Sequence, residues 1–203
     1  MVEEFTITTT EFMNYLNAKG TAKLTVVGNA KARHENEQEY FDFWAEFKHA
    51  LKRVIITNGS KEDLKEVIER VKDEARPNYQ AMVNGFISFW GRKDLVWIQP
   101  SKKIYHLVGL RISINPEIGL MINGTEYLIK LFLRSNDTID RKQADIVLTL
   151  MEQGLRKKVG EDVVFAVLDV RRGKLYAARE YNPKLSVLLK AEAKSFQQAW
   201  KGL

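Results

Sequence analysis

Apolar positions along this chain change period near residue 91, from the three- and four-residue spacing of helices to the alternation of strands. Before that point, residues 9–19 predict a short helix capped by Thr9 or Thr10 and ended by Gly20, with Phe12, Met13 and Leu16 on its apolar side. Leu24 to Val27 is too short a run to separate strand from helix. Residues 38–55 repeat Tyr40, Trp44, Phe47, Leu51 and Val54 at helical spacing and predict a buried helix, which Asn58-Gly59 breaks. Ser60 and Asp63 form a capping-box pattern opening another helix at Lys61, with Leu64, Val67, Ile68 and Val71 inward. Pro77 starts a third long helix, to about Trp90, whose broad apolar face holds Tyr79, Met82, Phe86, Phe89 and Trp90. Gly85 in its middle costs about 1 kcal/mol relative to alanine and predicts a close helix crossing.

The second half reads as strands with two further helices. Leu95 to Ile98 is a short strand, and Ile104 to Ile114 alternates along its whole length as one strand. On that strand His106 shares a face with Ile104, Val108, Leu110 and Ile112, which favours a core or interface histidine over a general base. Asn123-Gly124 then interrupts two apolar-rich runs. Both residues tolerate the positive φ of a type I′ turn, so Ile122 should pair with Thr125, and counting outward sets Glu117 opposite Lys130. Strands Glu117 to Ile122 and Thr125 to Arg134 follow the strand before them, so all three are expected as neighbours in one antiparallel sheet. Asp137 or Thr138 caps a helix from Ile139 to about Lys157. Val163 to Val170 is the near-continuous apolar strand of a sheet covered on both faces. Arg171-Arg172-Gly173-Lys174 turns the chain into Leu175 to Ala178, and Asn182-Pro183 opens a last helix with Leu185, Leu189, Ala193, Phe196 and Trp200 on one face. These elements predict an α+β fold: a mixed, mainly antiparallel β-sheet packed by helices, with an N-terminal helical region over residues 1–92 and a core over 93–203. Helix 77–91 is shared between the two, in one cooperative domain.

Composition narrows the chemistry. The chain lacks cysteine, which removes disulfides, thiol catalysis and thiolate metal sites together, and its three histidines, His34, His49 and His106, are far apart in sequence. No apolar run approaches the roughly 20 residues that span a bilayer, and the first residues lack a secretory pattern, so a soluble cytoplasmic protein with no membrane partner is expected. Residues 1–100 hold 14 Lys and Arg against 15 Asp and Glu, whereas residues 101–203 hold 18 against 11. The basic excess therefore belongs to the second half, where it would attract DNA, RNA or another polyanion at long range. No glycine-rich phosphate loop and no nucleophile elbow accompanies it.

Two groups carry candidate chemistry. Asp169-Val170-Arg171-Arg172-Gly173-Lys174 places an acid beside three bases around a turn, where Arg171, Arg172 and Lys174 could meet phosphate or form a solvated loop. Glu117 and Lys130 are compatible with a cross-strand ion pair contributing about 0.2–1 kcal/mol, with a phosphate-binding remnant, or with a metal site.

From residue 77 the order helix, three strands, helix, strand resembles the restriction-endonuclease-like superfamily, the PD-(D/E)xK nucleases. In that family an acidic residue on the second core strand and a carboxylate-x-lysine on the third bind a divalent metal and orient water against a phosphodiester. Pro116-Glu117 resembles the family's proline-acid element, and Lys130 in Tyr127-Leu128-Ile129-Lys130-Leu131-Phe132 matches the motif lysine. The resemblance implies Glu117 and Lys130 as catalytic residues and magnesium as the metal. Leu128 stands where the second carboxylate belongs. Glu126, about 6.5 Å along the strand from Leu128, would have to replace it as a catalytic and metal-binding group, with Glu69, Glu74 or Asp140 as further donors. Two functions follow as expectations. The first is a nucleic-acid-associated protein with a nuclease-like core, hydrolysing phosphodiesters with magnesium if active. The second is a non-enzymatic interaction or assembly protein with an exposed apolar patch and a structural Glu117–Lys130 pair.

Overall fold

A computed structural model describes residues 5–35, 42–134, 138–180 and 182–203. Strand β1 (Thr6–Thr8) runs directly into helix α1 (Thr9–Asn17). The cap is Thr8, one residue before the expected Thr9 or Thr10. Its hydroxyl accepts from the Glu11 N–H at 3.1 Å, and the Glu11 carboxylate accepts from the Thr8 N–H at 2.6 Å. Helix α2 (Ala22–Glu35) absorbs the ambiguous Leu24 to Val27 run. Helix α3 (Ala45–Ile56) begins later than expected: residues 42–44, with Trp44, form the turn before it, and residues 38–41, including Tyr40, fall outside the described residues. The Ser60–Asp63 capping box is present, opening a 3-10 turn (Lys61–Lys65) that continues as α4 (Glu66–Arg70). Helix α5 (Arg76–Trp90) has Pro77 in its first turn, where a missing N–H costs nothing. The remaining elements are β2 (Leu95–Ile98), β3 (Lys103–Leu107), β4 (Leu110–Ile114), β5 (Ile118–Ile122), β6 (Thr125–Phe132), α6 (Arg141–Leu155), β7 (Val164–Asp169), β8 (Lys174–Ala177) and α7 (Pro183–Gly202).

These form an α+β fold with two mixed sheets. The five-stranded sheet has order β2-β5-β6-β7-β8; β6 and β7 are parallel and every other neighbouring pair is antiparallel. Parallel neighbours need a crossover, and α6 supplies it. In the smaller sheet, β4 pairs with β1 in parallel and with β3 antiparallel.

The run Ile104 to Ile114 is therefore two strands. Val108 and Gly109 take positive φ, +44° and +91°, and turn the chain so that Leu107 pairs with Leu110. A two-residue turn preserves the look of alternation while it moves the buried set from Leu107 to Leu110, Ile112 and Ile114. His106 is exposed opposite Arg111, not in a core. The hairpin also leaves the main sheet, whose antiparallel meander is β2, β5, β6 and not three consecutive strands.

Both faces of the five-stranded sheet are covered. Leu128, Phe132, Phe165 and Val167 pack with α1, α2, α6, α7 and the smaller sheet, while Ile129, Leu131, Ala166 and Leu168 pack with α3, α4 and α5. Double coverage explains why β7 carries apolar residues at nearly every position. On the α5 side, Tyr79 anchors the start of α3 by donating its hydroxyl to the Phe43 carbonyl at 2.6 Å, and burial raises the pKa of that hydroxyl above 10.0.

Helix α6 is capped by Asp140, whose carboxylate accepts from the Gln143 N–H at 2.8 Å. The cap lies beyond the expected Asp137 or Thr138, and Asp137 falls outside the described residues. At the other end, Arg156 holds the turn into β7. Its guanidinium forks onto Glu152 at 2.7 and 2.8 Å, donates to the carbonyls of Gly160, Glu161 and Val163 at 2.7, 3.2 and 2.9 Å, and lies 4.6 Å from the Phe165 ring centroid. Lysine keeps the charge but not the planar fork. Arg156→Lys is expected to lower the unfolding free energy by about 2 kcal/mol in urea titration, on the scale of charge-assisted hydrogen bonds; parental stability would remove Arg156 as the anchor of this turn.

Candidate functional site

The Asn123-Gly124 turn has φ of +48° and +87°, and Ile122 pairs with Thr125 as its residue types require. The ladder runs back to Ile118 opposite Ile129, which brings Glu117 beside Lys130. Lys130 donates through Nζ to Oε1 of Glu117, and the Leu131 N–H donates to Oε2 at 2.8 Å. The lysine side chain is 6% exposed and the glutamate side chain 14%. This is an inward pair, well below the surface. Lys130 shares the face of Leu128 and Phe132, toward α1 and α6.

Above the pair lies a cavity of about 200 Å³ whose wall includes Asn14 and Asn17 of α1, the Asp42–Lys48 ion pair and Arg134. Asp42, Lys48 and Arg134 carry no sequence signal. Asp42 and Lys48 are six residues apart, but Arg134 comes from a distant segment, and no spacing rule connects it to them.

The carboxyl ends of the parallel strands meet here. Phe132 pairs with Asp169, which pairs in turn with Lys174. Asp169 is 1% exposed. Its carboxylate accepts from the Arg172 guanidinium at 3.0 Å, and that partner makes burial of the charge tolerable. Arg171 donates to the Asn78 side-chain oxygen at 3.2 Å, and Lys174 sits 4.9 Å from the Tyr176 ring centroid. Of the three predicted phosphate-binding residues, Arg172 and Lys174 are exposed, while Arg171 is half-buried against α5.

The other predicted donors do not join Glu117. Glu126 pairs with Met121, four residues along β6 from Lys130, a separation of roughly 13 Å at the rise of a strand. Leu128 is buried between Gly119 and Phe165. Glu69 and Glu74 are exposed in or before the helices on the opposite face of the sheet, and Asp140 is occupied as the α6 cap. Among the described residues, no group of three or more histidine, aspartate or glutamate side chains is placed to hold a metal ion. Nor is any described helix long and apolar enough to cross a membrane. No protein-family model matches the chain, and no curated protein matches its sequence.

Proposed function

We propose that this chain is a nucleic-acid-associated protein on a degenerate nuclease-like core, binding the phosphate backbone of DNA or RNA without metal-dependent hydrolysis. The observation that carries this reading is the register Phe132–Asp169–Lys174, which brings Lys174 beside the carboxyl ends of β6 and β7, the ends from which Arg134 and Arg172 follow. In open α/β sheets ligands bind outside the carboxyl ends of the parallel strands, and β6 and β7 are the parallel pair of this sheet. The order α5, β2, β5, β6, α6, β7 supports the resemblance to restriction-endonuclease-like proteins, with the β3–β4 hairpin as an insertion. Glu117 and Lys130 occupy the acid and lysine positions of that resemblance. Both Glu117 oxygens are engaged by Lys130 and the Leu131 amide, Leu128 replaces the second carboxylate, and Glu126 is remote. A magnesium ion takes oxygen ligands near 2.1 Å in octahedral order, whereas the described residues hold no group of three or more carboxylate or histidine side chains, and Asp42, the other carboxylate on the cavity wall, is paired with Lys48.

Fluorescence anisotropy with duplex DNA and duplex RNA at several salt concentrations tests the reading. The parent chain is expected to bind with a negative salt slope. Arg134→Glu/Lys174→Glu should weaken binding by about tenfold or more, with a slope shallower by about 0.9 for each DNA phosphate that is no longer neutralised. Both side chains are exposed, so the substitutions leave the core intact. Absence of binding at low salt, or equal binding by the variant, overturns the interface. Magnesium-dependent cleavage that Glu117→Gln abolishes overturns the non-hydrolytic part.

A further inference from the structure

A larger cavity, about 670 Å³, opens beside the one over Lys130 and shares Asn14, Asn17, Phe132 and Arg134 with it. It lies between α1, α2 and the start of α6, and its volume falls in the range of small-molecule sites. Its lining has two parts. Ala18, Ala22 and Val26 form a small-residue apolar wall, and the amides of Asn14, Asn17, Asn29 and Gln143 stand around it. Gln143 is oriented from both ends. Its oxygen accepts from the Asp140 N–H at 2.9 Å, and its nitrogen donates to the Asn17 oxygen at 3.1 Å. The Asn17 amide nitrogen is thereby left to donate elsewhere. Asn14 is half-buried and Asn29 stands exposed at the opening, and the side chains of both bond to no described residue.

Side-chain amides offer a donor and an acceptor at fixed separation, the pattern that matches the hydrogen-bonding edge of a nucleobase. A low apolar wall accommodates the flat face of the ring, and an arginine at the mouth suits a phosphate. We infer that this cavity binds a single nucleotide unit, its base among Asn14, Asn17 and Asn29 and its phosphate at Arg134. The inference rests on the nucleic-acid reading and deepens it: the ligand is an unpaired nucleotide, with the backbone continuing toward Lys174.

Calorimetric titration of the full chain with the four nucleoside 5′-monophosphates, the matching nucleosides and inorganic phosphate is the test. At least one monophosphate is expected to bind about tenfold more tightly than either its nucleoside or phosphate alone. Asn14→Leu/Asn29→Leu should weaken it by about tenfold or more, on the scale of one bidentate pairing with a base edge, with duplex affinity unchanged. Ala22→Trp, on the exposed rim, should obstruct the cavity without touching an amide and give the same weakening. Phosphate binding as tightly as every monophosphate, no saturable monophosphate binding, or parental affinity in both variants overturns the assignment. Duplex binding that persists in any of these cases rejects the cavity alone; its absence from the parent chain rejects the interface.

Discussion

Lys130→Met is expected to lower the unfolding free energy by about 3 kcal/mol or more, and Glu117→Leu/Lys130→Met to be more stable than either single variant. The sign follows from burial. The two side chains are 6% and 14% exposed, so removing the lysine leaves the Glu117 carboxylate in a largely desolvated position with the Leu131 amide as its remaining charge-stabilising partner. Removing only the glutamate strands an ammonium between Leu128 and Phe132 on the α1-facing side of β6. Removing both substitutes apolar volume for two desolvated charges, which in other proteins is often neutral or stabilising. The slight exposure of Glu117 places the single-variant cost toward the lower end of the usual range of about 3–5 kcal/mol. Urea titration of the four members of the cycle measures the coupling. Additive effects would show that each residue acts alone and would remove the pair as a structural unit. The double variant also separates structure from the proposed function, since the proposed nucleic-acid binding through Arg134, Arg172 and Lys174 should be unaffected by it.

Gly85→Ala should destabilise the protein by about 3 kcal/mol, although helix propensity alone predicts a gain of about 1 kcal/mol. A Cβ at position 85 would stand 2.0 Å from the Val170 carbonyl oxygen and 2.6 Å from that of Arg171. Neither can move without displacing the β7–β8 turn. Gly173, at φ +59°, closes the same approach from the other side, with its own Cβ position 2.7 Å from the Gly85 carbonyl oxygen. The control is Gly28→Ala within α2. There the nearest atom to an added Cβ is the Leu203 side chain at 3.9 Å, and the change should stabilise by up to about 1 kcal/mol. Opposite signs in denaturant titration would confirm that backbone contact outweighs propensity at position 85; a gain at both positions would refute the close approach. The glycine also matters to the proposed interface, because the turn it admits carries Arg172 to Asp169.

Gly85 illustrates where sequence reasoning reaches and where it stops. A glycine inside an otherwise good helix points to a close approach, but the expected partner is another helix, whereas the observed partner is the backbone of the β7–β8 turn. Nothing local in residues 77–90 encodes what lies opposite them. Ile104 to Ile114 shows the same limit within one segment: both halves are strands, but Val108-Gly109 is a weaker turn signal than Asn123-Gly124. The difference moves a hairpin into a second sheet with β1, a strand about a hundred residues earlier.

Local patterns therefore determined most helices and strands, the Asn123-Gly124 register and, through it, the meeting of Glu117 with Lys130. Each depends on steric and hydrogen-bonding preferences acting over a few residues. Tertiary structure alone decided that this pair would be largely buried on the α1-facing side of β6, beneath a cavity, that Asp169 would be 1% exposed, and that Asn14, Asn29, Arg134 and Gln143 would share one cavity. Asn14 and Asn29 lie more than a hundred residues from Arg134 and Gln143, and only the packing of helices on both faces of one sheet brings them together.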